Sequence, residues 1–359
     1  MKQQRNRWIA AALACGLLLA GCGTADSGQD STGVTQSGSA AAAAEPVSRE
    51  IFAMDTYMTV TAYGEPAQEA VDAAVSEIRR LDALLSIGES GSEISMLNDS
   101  GTARVSDDTG VMIDKALALY RDTGGAFDLT ILPLMETWGF TDEAYRVPSE
   151  EELKTVLQKI GADQLTWDKD SGTIALGEGQ KMDLGGIAKG YTSSRIMEIF
   201  EQYGVTSGMV SLGGNVHLLG TKPDGTAWRV GIQDPENSAG MLGVLETQDC
   251  AVITSGGYER YFEQDGKRYH HILDPTTGKP ADSGITSVTI VSEYGTLADG
   301  LSTALFVMGV EKASDYWKQH ADTFDAVIVA EDGTIYATEG IVDSLSCETD
   351  ITVIRQDGS

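Results

Sequence analysis

Apolar positions recur along this chain at two spacings, and the places where the spacing changes mark its organisation. The segment Met58–Tyr63 lies in a stretch, 51–63, that reads as a strand. Pro66 then opens a helix whose apolar face is Ala70, Val71, Ala74, Ile78, Leu81 and Leu85. Helical spacing returns over 109–123 through Met112, Ile113, Ala116 and Tyr120, and Gly124-Gly125 stops it. Ser149 and Glu152 have the form of a capping box ahead of Leu153, Val156, Leu157 and Ile160, with Gly161 as the stop. Another helix is expected from about 186 to 203, carrying Ile196, Ile199 and Phe200, with Gly204 after it.

From 208 to about 292 the character changes to short apolar runs separated by Gly- and Asp-containing turns such as Asp265-Gly266. Val210, 216–218, 228–230, 252–253, 258–262, 269–273 and 288–291 read as strands. Helices are expected over about 296–308 and 311–321, then strands near 325–330, 334–338 and 350–354. Strands in series with helices in blocks point to an α+β fold, not a doubly wound sheet. No Pro-rich linker interrupts 50–350 and no repeat of 20–50 residues is present, so one composite domain over 48–359 is expected.

The beginning of the chain differs from the rest. Lys2, Arg5 and Arg7 precede an apolar stretch, Trp8–Ala20, that is short for a membrane span but right for the core of a signal peptide. It ends in Leu19-Ala20-Gly21-Cys22, which resembles the lipobox of bacterial lipoproteins. That resemblance implies a signal peptide over 1–21, cleavage before Cys22 and a lipid on its thiol; an ordinary signal peptide with an incidental cysteine is the alternative. Residues 22–47 are rich in Gly, Ser, Ala, Thr and Gln and read as a lipid-anchored flexible tether. The expected location is the extracytoplasmic face of the cell membrane.

Composition narrows the functions. With 42% hydrophobic residues there is ample core material, which excludes a largely disordered chain. The chain carries 25 basic and 54 acidic residues, a net charge of −29. Removing residues 1–21 takes away three basic residues and leaves −32. So acidic a surface repels phosphate backbones, and no nucleic-acid partner is expected. Four cysteines are too few for a disulfide scaffold, and four histidines without a Cys-x-x-Cys give structural zinc little to work with. Cys250 and Cys347 stay in the folded part and could pair outside the cytoplasm.

Three segments carry candidate chemistry. Met182-Asp183-Leu184-Gly185-Gly186-Ile187-Ala188-Lys189-Gly190 places glycines at a helix start, where free amides favour an anion and Lys189 adds a point charge. A glycine-rich packing turn accounts for it equally well. In Asp299-Gly300-Leu301-Ser302-Thr303, Asp299 and Thr303 share a helix face beside Ser302. One carboxylate with hydroxyls suits a hard cation such as Mg²⁺; a solvated helix start is the bland alternative. In Tyr269-His270-His271-Ile272-Leu273-Asp274-Pro275 the two histidines face opposite sides of a strand, so one of them can point at a site and act as a general base. Gly124-Gly125-Ala126-Phe127-Asp128 and Ser211-Leu212-Gly213-Gly214-Asn215 could each let a flat ring or a phosphate lie on backbone, or be a cap or bulge.

Taken in order, these pieces resemble the ApbE family of FAD:protein FMN transferases. Further pieces of the match are Phe52-Ala53-Met54-Asp55-Thr56, Ser92-Glu93-Ile94 with Leu97-Asn98, Thr254-Ser255-Gly256 with Tyr258, His271 to Gly278, and Ala298 to Thr303. The resemblance implies a T-fold-like α+β domain with a mostly antiparallel sheet and flanking helices. It implies FAD as substrate, Mg²⁺ as cofactor, release of AMP, and FMN placed on a threonine or serine hydroxyl of an exported flavoprotein. The acceptors it implies are subunits of Nqr- or Rnf-type membrane redox complexes or flavoproteins of extracellular electron transfer. By correspondence, Met54, Ala126, Phe127, Asp128, Asp183, Lys189 and Leu273 are FAD-binding positions. Gly186, through its carbonyl, and Asp299, Ser302 and Thr303 are metal positions, and His271 is the base. One departure stands out: the family's aromatic residue before the Ser-Glu pair has no counterpart in 86–91. The same site with water as acceptor would be an FAD pyrophosphatase, and without turnover a lipid-anchored flavin-binding protein.

Overall fold

The computed structural model describes residues 45–237 and 239–356. The expected leader, Cys22 and nearly all of the tether lie outside the described residues. A hairpin of β1 (Val47–Ala53) and β2 (Thr56–Ala62) leads into α1 (Ala67–Leu85), α2 (Glu93–Ser100), β3 (Thr102–Arg104), α3 (Asp107–Asp122), α4 (Leu132–Trp138) and α5 (Glu150–Val156). Then come β4 (Thr166–Asp168), β5 (Thr173–Ala175), α6 (Gly185–Gln202), β6 (Gly208–Leu212), β7 (Asn215–Leu219), β8 (Trp228–Gln233) and β9 (Met241–Thr247). β10 (Ala251–Gly256), β11 (Tyr261–Gln264), β12 (Lys267–His270) and β13 (Ile285–Ser292) precede α7 (Gly295–His320). β14 (Asp325–Ala330), β15 (Ile335–Thr338), β16 (Leu345–Cys347) and β17 (Ile351–Ile354) close the described chain.

Nine strands form one sheet in the order β1-β2-β6-β7-β10-β13-β14-β15-β17, antiparallel except for the β15–β17 pair. Its strands alternate. Ala251, Ile253, Val288 and Ile290 face the core under α3 and α7, whereas Val252, Val291 and Val327 face Ile232 and Leu245 of the small sheet β16-β9-β8. Met58, Val60 and Val210 pack against the stripe Ala70, Val71, Ala74 and Ile78 of α1 and against Ile196 and Phe200 of α6. The fold is therefore α+β, as the element pattern indicated. The capping box of α5 is present: Ser149 Oγ accepts from the Glu152 amide at 3.3 Å and Glu152 Oε2 accepts from the Ser149 amide at 2.8 Å.

Four departures have physical causes. The stretch 51–63 is a hairpin rather than one strand. Met54 and Asp55 form its turn at φ 48° and 58°, conformations usually left to Gly or Asn, and the Met54 amide donates to Asp82 Oδ1 of α1 at 2.9 Å. The strands β3, β4 and β5 are three residues each, too short to show a period. α4 has seven residues, about two turns, with Glu136 its one exposed position, too short for helical spacing to show. The two helices expected over 296–321 are the arms of α7, broken at Gly309, whose φ is 80° and ψ 165°.

Cys250 and Cys347 are both free. Cys347 faces Gly243 on β9, while Cys250 contacts Thr247 at the strand's other end, so the two lie roughly 13 Å apart along the strand, beyond disulfide reach. Among the described residues no helix is long and apolar enough to cross a membrane.

α6 and α7 pack backbone to backbone where they cross. A Cβ on Gly190 would sit 2.2 Å from the Gly295 carbonyl oxygen and 2.6 Å from Asp299 Cβ. Only backbone against backbone fits there. Gly190→Ala should therefore destabilise the chain by about 1–3 kcal/mol or more, seen as a lowered urea midpoint; an unchanged midpoint would contradict this packing.

Candidate active site

The crossing of α6 and α7 places a carboxylate inside the protein. Asp299, in the second turn of α7, is 4% exposed. Its Oδ2 accepts from the Gly190 amide at 2.8 Å and its Oδ1 from Asn215 Nδ2 at 2.9 Å. Burial pushes this carboxyl above its usual range, while Lys189 and the two hydrogen bonds favour the ionised form. A regular helix would offer the Gly190 amide to the carbonyl of Gly186, so its use by Asp299 bears on how fully that carbonyl is engaged. One turn further, Ser302 Oγ donates to the Asp299 carbonyl at 2.7 Å and meets Ser255 Oγ at 2.7 Å. Ser255 Oγ also lies 3.4 Å from Thr303 Oγ1. β10 thus supplies a hydroxyl to the same cluster of oxygens.

The paired histidines separate where β12 ends at His270. His270 Nε2 lies 3.2 Å from the Ala281 carbonyl oxygen, and its ring stands edge-on to Phe306. His271 is anchored to the Arg260 carbonyl, which accepts from its backbone amide at 3.0 Å and from Nδ1 at 3.1 Å. A proton held on Nδ1 leaves the Nε2 lone pair free. Burial, helped by the neighbouring cations Arg260 and Lys189, pushes the pKa of His271 down to about 3, so the ring is neutral at ordinary pH.

Lys189 links these groups. Its charge acts on Asp299, on His271 and on Glu259, which burial pushes up to about 7 with Asp299 adding to the rise. Asp183 caps the approach to α6: its Oδ1 accepts from the Gly185 amide at 2.7 Å, and burial pushes its carboxyl up against the pull of Arg260. Asp183, Lys189 and His271 are half-buried, and Glu259, though hemmed in, keeps an exposed edge, as residues on the floor and rim of a cleft do.

Around this floor the structure sorts the remaining sequence candidates. Phe127 is buried, and its ring fills the space beside Gly186, where a Cβ would come within 2.9 Å of Cε2. Ala126 is half-buried at the start of the same loop. Asp128 braces that loop: its Oδ1 accepts from the Thr130 amide at 2.8 Å and from Thr130 Oγ1 at 2.7 Å, and burial pushes its carboxyl up. Leu273 packs its side chain with Leu134, Trp138 and Ile160, away from the polar cluster. Met54 brings its Sδ within 3.9 Å of Thr192 Oγ1 on α6, at the end of the sheet where the β1–β2 and β6–β7 turns meet.

Glu259, Arg260 and the amide of Asn215 are site residues that sequence reasoning did not single out for these roles. Glu259 and Arg260 lie in a turn over 257–260, where the apolar pattern indicates a strand over 258–262; the strand begins only at Tyr261. Asn215 carried the one available signal, a polar residue directly after two glycines between strands. Two surface cavities, of about 480 and 590 Å³, lie elsewhere, beside Thr137 and Arg146 and beside Tyr191 and His217. Neither is lined by Asp299, Lys189 or His271. The candidate site is defined instead by the convergence of charged groups on Lys189 and Asp299.

Comparison with known proteins agrees with this geometry. The family model described as the ApbE family matches residues 54–328. A Treponema pallidum protein named FAD:protein FMN transferase is 33% identical over 318 residues, covering 82% of this chain and 88% of the relative. A Vibrio cholerae protein of the same name is 37% identical over 227 residues, covering 62% and 68%. Among solved structures, the ApbE protein of Thermotoga maritima superposes with a TM-score of 0.78 at 35% identity, covering 82% of this chain and 98% of that one. The flavin transferase ApbE of Vibrio cholerae gives 0.73 at 30% identity, over 82% and 98%. A family match that starts at the β1–β2 turn and runs through Asp183, His271 and Asp299, on a shared fold, makes this chain a member of the ApbE family.

Proposed function

We propose that this chain transfers FMN from FAD to a threonine or serine hydroxyl of an exported flavoprotein, with Mg²⁺ bound at Asp299 and AMP released. The flavin transferase activity follows from its family. The observation that carries the finer reading is the buried Asp299 carboxylate, tied by the Gly190 and Asn215 amides and electrostatically coupled to Lys189, which also acts on His271.

The donor set fits the cation. Among the described residues no group of three or more His, Cys, Asp or Glu could hold a metal. The proposed donors are one carboxylate, Asp299, with the Ser302 and Thr303 hydroxyls one turn on and the Gly186 carbonyl from α6. Mg²⁺ prefers oxygen ligands and commonly takes one carboxylate, with waters and substrate phosphates completing its shell. When bound, it would neutralise charge on the diphosphate. Lys189 and the amides at the start of α6 would hold the diphosphate in place. Phe127 beside Gly186, with Ala126, and Met54 at its turn would border the cofactor. Asp183 would keep the α6 start in position, Asp128 would hold the Phe127 loop, and Leu273 would offer its backbone.

In the transfer, the acceptor oxygen bonds to the phosphorus of the FMN half. The bond from that phosphorus to the bridging oxygen breaks, AMP leaves with the bridging oxygen, and the hydroxyl proton passes to His271 Nε2. The anchor at Cys22 and the tether over 22–47 would place this chemistry on the extracytoplasmic face of the membrane, where exported acceptors are found.

Incubation with FAD, Mg²⁺ and a candidate acceptor should raise the acceptor's mass by one FMN group, with AMP formed in equal amount. Free FMN with unlabelled acceptor would instead support hydrolysis. Asp299→Asn, which keeps the shape and removes the charge, should lower turnover on the order of a hundredfold or more and raise the Mg²⁺ needed for half-maximal rate; wild-type Mg²⁺ dependence would contradict the assignment. His271→Ala should slow transfer by roughly 10²–10⁴-fold with FAD still bound. Because His271 stays neutral down to about pH 3, protonating it should not produce an acid limb near pH 6.5. A limb there that survives in Glu259→Gln would count against this role. Met54→Ala should weaken FAD binding, and an unaltered dissociation constant would reject that contact.

A further inference from the structure

Asn215 is nearly fully buried, and among the described residues the only side-chain hydrogen bond it makes reaches across 84 residues of sequence to Asp299. An asparagine that merely shapes a turn bonds its own local backbone. This one donates outward, and the orientation of its amide is fixed, because only its NH₂ end can face a carboxylate oxygen.

Its placement is set with little freedom. Leu212 and Asn215 flank Gly213 and Gly214, a two-residue turn with φ of 63° and 97°. Such a turn fixes the register of β6 on β7. The turn is also seated on β2. The Gly213 amide donates to the Tyr57 carbonyl at 3.0 Å, and a Cβ on Gly213 would fall 2.5 Å from Thr56 Oγ1. Thr56 follows the Met54-Asp55 turn directly. A continuous path of contacts therefore runs from the hairpin that carries Met54, through the glycine turn, to Asn215 and Asp299.

We infer that Asn215 is a positioning residue for the metal, holding the Asp299 carboxylate in the rotation that presents its remaining lone pairs to a divalent cation. With Gly190 on Oδ2 and Asn215 on Oδ1, each oxygen is tied by one donor, and the carboxylate cannot turn about its Cβ–Cγ bond without losing both. Removing Asn215's amide leaves a single tether and a carboxylate free to rotate. Outer partners of metal ligands commonly change affinity by about 10–100-fold. The inference rests on the reading that Asp299 binds the cation.

The test uses Mn²⁺ as the probe, with free and bound metal separated by electron paramagnetic resonance on the full chain without FAD. Wild type should bind Mn²⁺, and Asn215→Ala should bind it at least about tenfold more weakly while keeping the wild-type circular dichroism spectrum. Asn215→Thr, suited to a strand, provides the same comparison if the alanine variant does not fold. In turnover, the apparent KM for Mg²⁺ should rise by a similar factor and kcat should recover at saturating Mg²⁺, which a general loss of structure would not allow. Wild-type Mn²⁺ affinity in either folded variant overturns the role of Asn215. Absence of Mn²⁺ binding by the wild type overturns the metal reading itself, and this inference with it.

Discussion

Everything at this site hangs on a carboxylate held inside the protein by two amide donors. Burying Asp299 without partners would cost several kcal/mol. The Gly190 and Asn215 N–H groups and the nearby Lys189 charge offset that cost. The arrangement is possible only because α6 and α7 touch backbone to backbone at Gly190 and Gly295. That contact fixes the two helix starts against each other. The α6 start carries Asp183, Gly186 and Lys189, and α7 carries Asp299, Ser302 and Thr303, so one packing constraint sets the spacing between the parts proposed to hold the diphosphate and the cation.

The sheet does the same for the groups around them. β10 brings Ser255 to Ser302, and the turn after it brings the Arg260 carbonyl to His271. His271, the proposed base, is thus oriented by a backbone carbonyl rather than by a carboxylate. That suits a ring whose pKa is already depressed and whose proposed task is to accept a proton at Nε2. The charge balance has the same logic. A chain with 54 acidic residues is a poor host for a diphosphate unless cations are concentrated where it binds. The cleft has Lys189 and Arg260 near Asp183, Glu259 and Asp299, and a bound divalent ion would tip that local balance.

The main helices, most of the strands and the candidate chemistry were legible in the sequence because each leaves a local signature. Apolar spacing marks α1, α3 and α6, the Ser149–Glu152 pair marks α5, and the glycines mark the α6 start. What was not legible depends on contacts between distant segments. The Met54-Asp55 turn has the wrong residues for a tight turn and is held by Asp82 of another element. Asn215 has meaning only once β7 lies beside α7. The choice between His270 and His271 could be posed from alternation but was answered by Arg260 and Phe306. The roles of Leu273 and Asp128 look different from sequence and from structure, because their side chains are occupied by packing and by loop bonds.

A crystal structure of this chain with FAD and Mg²⁺ tests the central claim most directly. The account predicts a cation about 2.0–2.1 Å from an Asp299 carboxylate oxygen and from a diphosphate oxygen, with His271 Nε2 facing the phosphorus on the FMN side. A diphosphate bound elsewhere, with no metal at Asp299, would contradict it.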